Sequence, residues 1–143
     1  PPTVASVAPA FGPLAGTTLT ITGTNFRTGV AVSVDGSPCT GLTVNTARTE
    51  ITCTAPAHAA GSVAVVVTNP DSQTASGTFL YTAAPTVTAV TPNEGGPGGN
   101  TAVTITGTNF QTGATVDFGG NACTSPTVVS TTQINCLTPA AAM

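Results

Sequence analysis

The sequence contains almost no charge. Charged residues make up 5% of the 143 positions, lysine is absent, and the formal net charge is −3. Proteins that bind nucleic acids or anionic lipids by electrostatic attraction present clusters of Lys and Arg to the phosphate groups. The composition therefore argues against a nucleic acid or an anionic membrane surface as the partner.

The sequence also has no tryptophan, one tyrosine and no long apolar run. The longest apolar run, residues 63–67, is far shorter than the roughly 20 residues that a membrane-spanning helix needs. The chain is instead rich in Thr and Val, whose β-branched side chains favour strands over helices. Twelve Pro and 16 Gly interrupt the chain often. The composition therefore predicts an all-β protein without a membrane-spanning helix.

The two halves of the sequence repeat each other. The stretch ITGTNF occurs at residues 21–26 and again at 105–110, and the flanking positions match at an offset of 83 or 84 residues. A change of one residue in the offset is expected where a loop absorbs an insertion. We therefore predict a structural unit of 83 residues that occurs twice in the chain.

Each copy is predicted to consist of short strands separated by turns. In the first copy, alternation of apolar residues with threonine indicates half-buried strands, and the predicted strands are 3–9, 17–23, 30–36, 41–46, 50–56, 61–68 and 74–82. The Asn-Pro-Asp turn at 69–71 is typical of a hairpin between the last two. This spacing predicts an immunoglobulin-like β-sandwich, with Phe26, Phe79 and Tyr81 in its core.

The repeated GTNF segment is interpreted as a structural feature. In the first copy, Gly23 is expected to adopt a positive φ at the end of a strand, Asn25 to form a turn, and Phe26 to fill the core. The same roles are expected in the second copy for Gly107, Asn109 and Phe110.

The four cysteines form one equivalent pair in each copy. Cys39 and Cys53 match Cys123 and Cys136, and of the three possible pairings the repeat favours the one within each copy. Each bridge would close a loop of roughly 14 residues and contribute about 3 kcal/mol of stability. We therefore predict two structural disulfides and an oxidising, extracellular location. Zinc needs four closely placed ligands, and this cysteine spacing does not provide them.

No catalytic, metal or cofactor site is predicted. His58 is the only histidine, it lies in a loop where the second copy has Ala141, and it is expected to be exposed to solvent. The five acids stand singly in turns, so they provide neither the paired carboxylates of a glycosidase nor the clustered oxygens of a calcium site. The glycine-rich segment 93–100 lacks the lysine of a phosphate-binding loop. We therefore predict that the chain is not an enzyme.

The segments PTVASVAP, GTTLTITGTNF and ITCTAP resemble the IPT/TIG family, an immunoglobulin-like fold named for its presence in plexins and transcription factors. The resemblance covers residues 2–82 in the first copy and 85–139 in the second. It implies an all-β chain of tandem immunoglobulin-like β-sandwiches. It implies no single activity, because the family occurs in receptors, bacterial surface proteins, sugar-processing enzymes and DNA-binding proteins.

The two copies are predicted to differ in completeness. Residues 1–83 form a complete domain, whereas residues 84–143 form a second domain that lacks its last two strands, since nothing in it corresponds to residues 61–82. Such a domain would expose an apolar face and unpaired strand edges. Two explanations remain open: the chain is a piece of a longer repeat array, or another chain donates the missing strands.

The predicted function is that of a non-catalytic extracellular structural or interaction module, such as a surface stalk, an adhesin segment or a filament subunit. Its expected partners are other protein chains, through head-to-tail or strand-donating contacts, without nucleic acid or membrane insertion. The alternative is an accessory, carbohydrate-binding module of a secreted enzyme. A neighbouring catalytic domain would favour this alternative, and further β-repeats would favour the structural module.

Overall fold

The computed structural model describes residues 1–141, which consist of strands and loops. The chain divides into a first unit, Pro1–Ala83, and a second unit, Ala84–Met143. Residues 1–141 contain no helix that is long and apolar enough to cross a membrane. The all-β prediction is confirmed.

The first unit contains nine strands. They are β1 (Thr3–Ala8), β2 (Phe11–Pro13), β3 (Thr18–Thr24), β4 (Ala31–Val34), β5 (Ser37–Pro38), β6 (Thr40–Val44), β7 (Glu50–Thr54), β8 (Gly61–Thr68) and β9 (Thr74–Thr82). Two sheets result, with the strand orders β1-β3-β7-β6 and β2-β9-β8-β4-β5. Together they form the predicted β-sandwich.

All seven strands that the sequence predicts in the first unit are present, and two short strands were not predicted. One is β2, which pairs in parallel with β9 from Phe11 opposite Leu80 to Pro13 opposite Thr82. The other is β5, which pairs with β4. Neither has enough residues to display the alternation that identifies a half-buried strand.

The core of the first unit lies between the two sheets. Phe26, Phe79 and Tyr81 are fully buried, as predicted, and the rings of Phe79 and Tyr81 meet edge to face with centroids 4.9 Å apart. Ile21 of β3 lies opposite Ile51 of β7 and both are completely buried. The alternation of apolar and polar residues places one face of each strand in this core.

Threonine is abundant because it lies on the exposed faces of the strands. The hydroxyl groups of Thr3 and Thr24 are 2.7 Å apart across β1 and β3, and those of Thr86 and Thr108 are 2.6 Å apart at the equivalent place in the second unit. Such cross-strand pairs stabilise a sheet without any charged group.

The second unit contains six strands in residues 84–141. They are β10 (Thr86–Thr91), β11 (Ala102–Thr108), β12 (Asp117–Phe118), β13 (Asn121–Ala122), β14 (Thr124–Ser130) and β15 (Gln133–Leu137). A four-stranded sheet has the order β10-β11-β15-β14, and β12 and β13 form a separate pair. Ile105 lies opposite Ile134, which is the register of Ile21 and Ile51 in the first unit. No strand in residues 84–141 corresponds to β8 or β9.

Candidate interaction surface

The structure corrects the expected role of Gly23 in the GTNF segment. Gly23 does not have a positive φ; Asn25 does, with φ of 61°. A Cβ atom on Gly23 would lie 1.9 Å from the carbonyl oxygen of Thr3 and 2.7 Å from Cζ of Phe26. Glycine is therefore required because β1 and the Phe26 ring approach the backbone closely, and the asparagine supplies the left-handed turn residue.

The second GTNF segment repeats this arrangement. A Cβ atom on Gly107 would lie 1.8 Å from the carbonyl oxygen of Thr86 and 2.6 Å from Cζ of Phe110. Asn109 has φ of 58° and its side-chain amide donates a hydrogen bond to the carbonyl oxygen of Ala84, 3.1 Å away. The asparagine therefore fixes the start of each unit against the loop that follows β3 in the first unit and β11 in the second.

Asn69, at the turn between β8 and β9, is the buried polar residue that ties this turn to the GTNF loop of the first unit. Its side-chain oxygen accepts a hydrogen bond from the backbone N–H of Arg27 at 3.1 Å, and its amide donates to the carbonyl oxygen of Asn25 at 2.9 Å. Sequence reasoning recognised the turn but not this contact, because the partners are more than 40 residues apart.

His58 is held by two acceptors, so the expectation that it is simply exposed to solvent is wrong. Nε2 lies 2.8 Å from a carboxylate oxygen of Asp35, and Nδ1 lies 2.7 Å from the carbonyl oxygen of Ala59. The ring stacks on Tyr81, with centroids 5.0 Å apart, and only 27% of the side chain is exposed. The Ala59 carbonyl and the Asp35 carboxylate raise the pKa of His58 above its ordinary value of 6.5.

The contacts around His58 are suited to hold the loop between β7 and β8 in place. A neutral imidazole donates through one nitrogen only, so both acceptors receive a proton only from the imidazolium form. The Tyr81 hydroxyl donates a hydrogen bond to the carbonyl oxygen of Pro56, 2.6 Å away, in the same loop. Together these contacts hold the segment between β7 and β8 against the first sandwich.

The two cysteine pairs differ in the structure. Cys39 and Cys53 are joined by a disulfide, with Cα atoms 5.7 Å apart. Cys123 and Cys136 are buried thiols, which differs from the predicted second bridge. Burial, together with the neighbouring Cys123, raises the pKa of the Cys136 thiol to about 12.

The remaining titratable side chains are scattered. Within residues 1–141 no three His, Cys, Asp or Glu side chains come together in a way that could hold a metal ion. Arg27 and Asp71 form an exposed ion pair with an N–O distance of 3.6 Å, a type of contact that contributes little to stability.

The second unit has an apolar face that is much more open than its counterpart. Val87 is 62% exposed, whereas the equivalent Val4 is half-buried and packs on the core of the first unit. Val116 and Phe118 are half-buried, whereas the equivalent Val32 and Val34 are buried. We call this surface the open face and define it by Val87, Val90, Val116 and Phe118.

A cavity of about 240 Å³ adjoins the open face. Its apolar lining includes Val90, Val103, Phe118 and Pro139, and Asn93 and Glu94 contribute polar groups at its edge. Ligand and protein-binding sites are concave, largely apolar and bordered by a few polar groups. This cavity and the open face together form the candidate interaction surface of the chain.

Tandem immunoglobulin-like sandwiches with cysteine pairs and Thr-rich exterior faces define a class of extracellular interaction modules. A family model described as the IPT/TIG domain matches residues 2–83 and again 85–142. The chain belongs to the IPT/TIG domain family, as the sequence resemblance implied.

Two relatives and one solved structure extend this result. The chain is 32% identical over 150 residues to plexin A3 of Danio rerio, covering 96% of this chain and 8% of that protein. It is 38% identical over 117 residues to fibrocystin-L of Mus musculus, covering 76% of this chain and 3% of that protein. The crystal structure of the plexin A4 full extracellular region, domains 1 to 8, has 27% sequence identity and a TM-score of 0.57, covering 98% of this chain and 15% of that one.

These relatives agree with an extracellular or cell-surface location. The plexin A4 structure is of an extracellular region, and a disulfide such as Cys39–Cys53 persists in oxidising compartments. The chain is therefore an extracellular or cell-surface interaction module. It spans only 8% and 3% of the lengths of plexin A3 and fibrocystin-L.

Proposed function

We propose that the chain is a non-catalytic repeat segment of a cell-surface or filament protein, and that it acts by binding other protein chains. The observation that carries this proposal is the match to plexin A3, which extends over 96% of the chain and so includes both repeats. Activity is never implied by a fold alone, so the proposal rests on the extent of this match and on the surface of the described residues.

The surface composition fits a protein partner. Exposed apolar side chains such as Val87, at 62%, and Val129, at 54%, lie on the described part of the second unit. The chain carries few charges to repel a neighbouring chain. These features fit a subunit that contacts other protein chains.

The carbohydrate-binding alternative has less support from the side chains. Sugar rings are bound largely by stacking on exposed aromatic side chains, and this chain has five Phe, one Tyr and no Trp. Phe26, Phe79, Phe110 and Tyr81 are buried in the cores of the two units. Phe11 is 36% exposed, and Phe118 is half-buried in the lining of the cavity, so few aromatic surfaces remain for stacking.

The proposal is tested by locating the protein in native material. Antibodies raised against residues 1–83 should label surface projections or filaments in negative-stain electron microscopy, and pre-immune antibodies should not. Mass spectrometry of the labelled material identifies the full polypeptide. The proposal is wrong if the antibody instead labels a secreted polypeptide that carries a catalytic domain and hydrolyses polysaccharide.

A further inference from the structure

We propose that the protonation of His58 controls the conformation of the loop between β7 and β8. The loop is held against the first sandwich while the ring carries two protons, and it detaches when the ring loses one of them. We call this loop, residues 55–60, the His58 loop. The inference goes beyond the proposed function, because it concerns a conformational change and not a partner. All the contacts that it uses lie inside the first unit, whose core is enclosed by two sheets.

His58 is the only residue of the His58 loop whose side chain can form a hydrogen bond. The loop has the sequence Ala-Pro-Ala-His-Ala-Ala, so the other five side chains carry no polar atom. Ala55 is buried in the core, but residues 57, 59 and 60 are exposed and bury little apolar surface. The contacts of the imidazole ring therefore make up most of the side-chain attachment of the loop beyond Ala55.

Both ring nitrogens of His58 face an oxygen that can only accept a hydrogen bond. Nε2 lies 2.8 Å from the Asp35 carboxylate and Nδ1 lies 2.7 Å from the Ala59 carbonyl oxygen. The imidazolium ion donates to both oxygens, whereas a neutral ring has a single N–H. In either neutral tautomer, a nitrogen lone pair then faces an acceptor oxygen less than 3 Å away. Loss of the proton therefore replaces one attractive contact by a repulsive one, and the ring must move.

The titratable groups that face the ring come from two other elements. Asp35 lies in the turn between β4 and β5, and Tyr81 lies on β9. Burial raises the pKa of Tyr81 above its ordinary value of 10.0, so the tyrosine stays uncharged while the histidine titrates. The Ala59 carbonyl and the Asp35 carboxylate raise the pKa of His58 above 6.5. The loop should therefore be attached at pH 6.5 and below, and it should detach as the pH rises through the pKa of His58.

Detachment of the His58 loop would uncover Tyr81. The tyrosine ring is 1% exposed and is stacked on the His58 ring. Its hydroxyl group donates to the carbonyl oxygen of Pro56, which belongs to the same loop. The backbone N–H of His58 donates to the carbonyl oxygen of Leu14 at 2.9 Å, and this bond would open as well. The movement therefore changes the exposure of one ring and the protection of one amide, and both can be measured.

The first measurement is the quenching of tyrosine fluorescence by acrylamide. Tyr81 is the only tyrosine of the chain and tryptophan is absent, so the signal comes from this ring alone. The pH is varied from about 5.5 to about 9, a range that includes the titration of histidine. We expect the quenching constant to rise at least about twofold, as local opening exposes the ring. The midpoint should equal the pKa of His58 measured by nuclear magnetic resonance.

The second measurement is hydrogen exchange of single backbone amides, which separates a local opening from unfolding of the whole unit. The His58 amide should lose protection as the ring is deprotonated. The amide of Val30 is the reference, since it donates to the carbonyl oxygen of Arg27 at 3.0 Å and belongs to a buried residue outside the loop. Its protection should stay unchanged over the same pH range.

Two substitutions of His58 test the role of the proton. His58→Lys keeps a positive charge and several N–H donors throughout this pH range, so the loop should stay attached and the quenching should be low at every pH. His58→Gln cannot become charged, so it should give high quenching that does not depend on pH.

Two substitutions of acids test the partner. Asp35→Asn should move the midpoint of quenching to lower pH, because it removes the charge that faces Nε2. Asp71→Asn is the matched control, since it removes the same charge from a carboxylate that pairs with Arg27, and it should leave the midpoint unchanged.

Three outcomes would overturn the proposal. The first is quenching that does not change between about pH 5.5 and about pH 9. The second is a pH dependence that persists in His58→Lys, which would assign it to another group. The third is loss of protection at Val30 together with His58, which would mean that the whole unit opens rather than the loop.

Discussion

Glycine is required in the GTNF segment because two neighbouring groups leave no room for a methyl group. The carbonyl oxygen of Thr3 and the ring of Phe26 both lie within 3 Å of the position that a Cβ on Gly23 would occupy. Phe26 is completely buried and so has little space to move. A side chain at residue 23 would therefore have to displace either the backbone of β1 or the ring of Phe26.

We therefore expect Gly23→Ala to lower the free energy of unfolding of the first unit by about 1–3 kcal/mol, the usual cost of overpacking. Denaturant titration followed by Tyr81 fluorescence measures this, since the only tyrosine lies in the first unit. Unchanged stability of Gly23→Ala would contradict the steric explanation.

His58 gives the first unit a pH-dependent stability. Its raised pKa means that the folded chain holds the proton more tightly than the unfolded chain. The contribution is fully present below the ordinary pKa of 6.5 and is lost as the pH rises through the folded pKa of His58. Stability should therefore fall as the pH rises through this range.

Nuclear magnetic resonance of the single histidine tests this expectation. The His58 ring signals should titrate with a pKa above 6.5, and Asp35→Asn should bring the pKa down. His58→Gln should remove the fall in stability that accompanies deprotonation of the histidine above pH 6.5. If Asp35→Asn leaves the titration of His58 unchanged, the contact between the two side chains does not stabilise the imidazolium.

At the scale of strands, the two cysteine pairs occupy the same positions in the same framework. The Cys39 N–H donates to the carbonyl oxygen of Val32, and the Cys123 N–H donates to the carbonyl oxygen of Val116. The partner cysteine lies on β7 opposite Leu19 of β3 in the first unit, and on β15 opposite Val103 of β11 in the second. The backbone therefore places both pairs alike.

We predict that the mature protein contains the Cys123–Cys136 bridge as well as Cys39–Cys53. Alkylation under denaturing, non-reducing conditions should then modify no cysteine, and alkylation after reduction should modify all four. Reduction should lower the free energy of unfolding of the first unit by about 3 kcal/mol, as expected for a loop of this length. Two alkylated cysteines without reduction, identified as Cys123 and Cys136, would show that the second pair remains as thiols.

Strands in which apolar and polar residues alternate could be predicted from the sequence. Strands without this alternation could not. The pattern around Leu19 and Ile21 identifies β3 and its buried face, because alternation is a property of neighbouring residues. The short strand Phe11–Pro13 is defined only by its pairing with β9, almost 70 residues later. Such a pairing depends on the whole fold and leaves no local pattern.

At the scale of the whole chain, the two units have cores of different size. Among the described residues, the core of the first unit contains Phe79 and Tyr81 and the valines of β8. Phe110, at 4% exposure, is the only buried aromatic residue in the core of the second unit within residues 84–141. Because stability rises with the apolar area buried, the second unit should be the less stable one.

We therefore expect unfolding in two steps, with the second unit first. Alkylation of Cys123 and Cys136 reports on the second unit, since both thiols are buried. It is measured in the reduced chain by mass spectrometry of the peptides, which separates these thiols from Cys39 and Cys53, and Tyr81 is followed in the same reduced chain. Tyr81 fluorescence reports on the first. Thiol exposure should occur at a lower denaturant concentration than the fluorescence change, and a single common transition would mean that the two units unfold cooperatively.

The sequence predicts only part of the candidate interaction surface. The sequence predicts that the second copy has no counterpart of residues 61–82, and hence an exposed apolar face. It does not show that Gly95 and Pro139 border a common cavity, because they lie more than 40 residues apart. Nor does it show that His58 reaches Asp35, since a single histidine in a loop has no periodic signal.

The parallel pairing of β2 with β9 has a mechanical consequence. In the sequence, β2 is near the beginning of the first unit and β9 is at its end, but in the structure the two strands pair. Phe11 lies opposite Leu80, and Pro13 lies opposite Thr82. A pulling force applied at the two ends loads the bonds between β2 and β9 in shear, so they must break together rather than one after another. The first unit should therefore resist stretching along the line that joins its two ends.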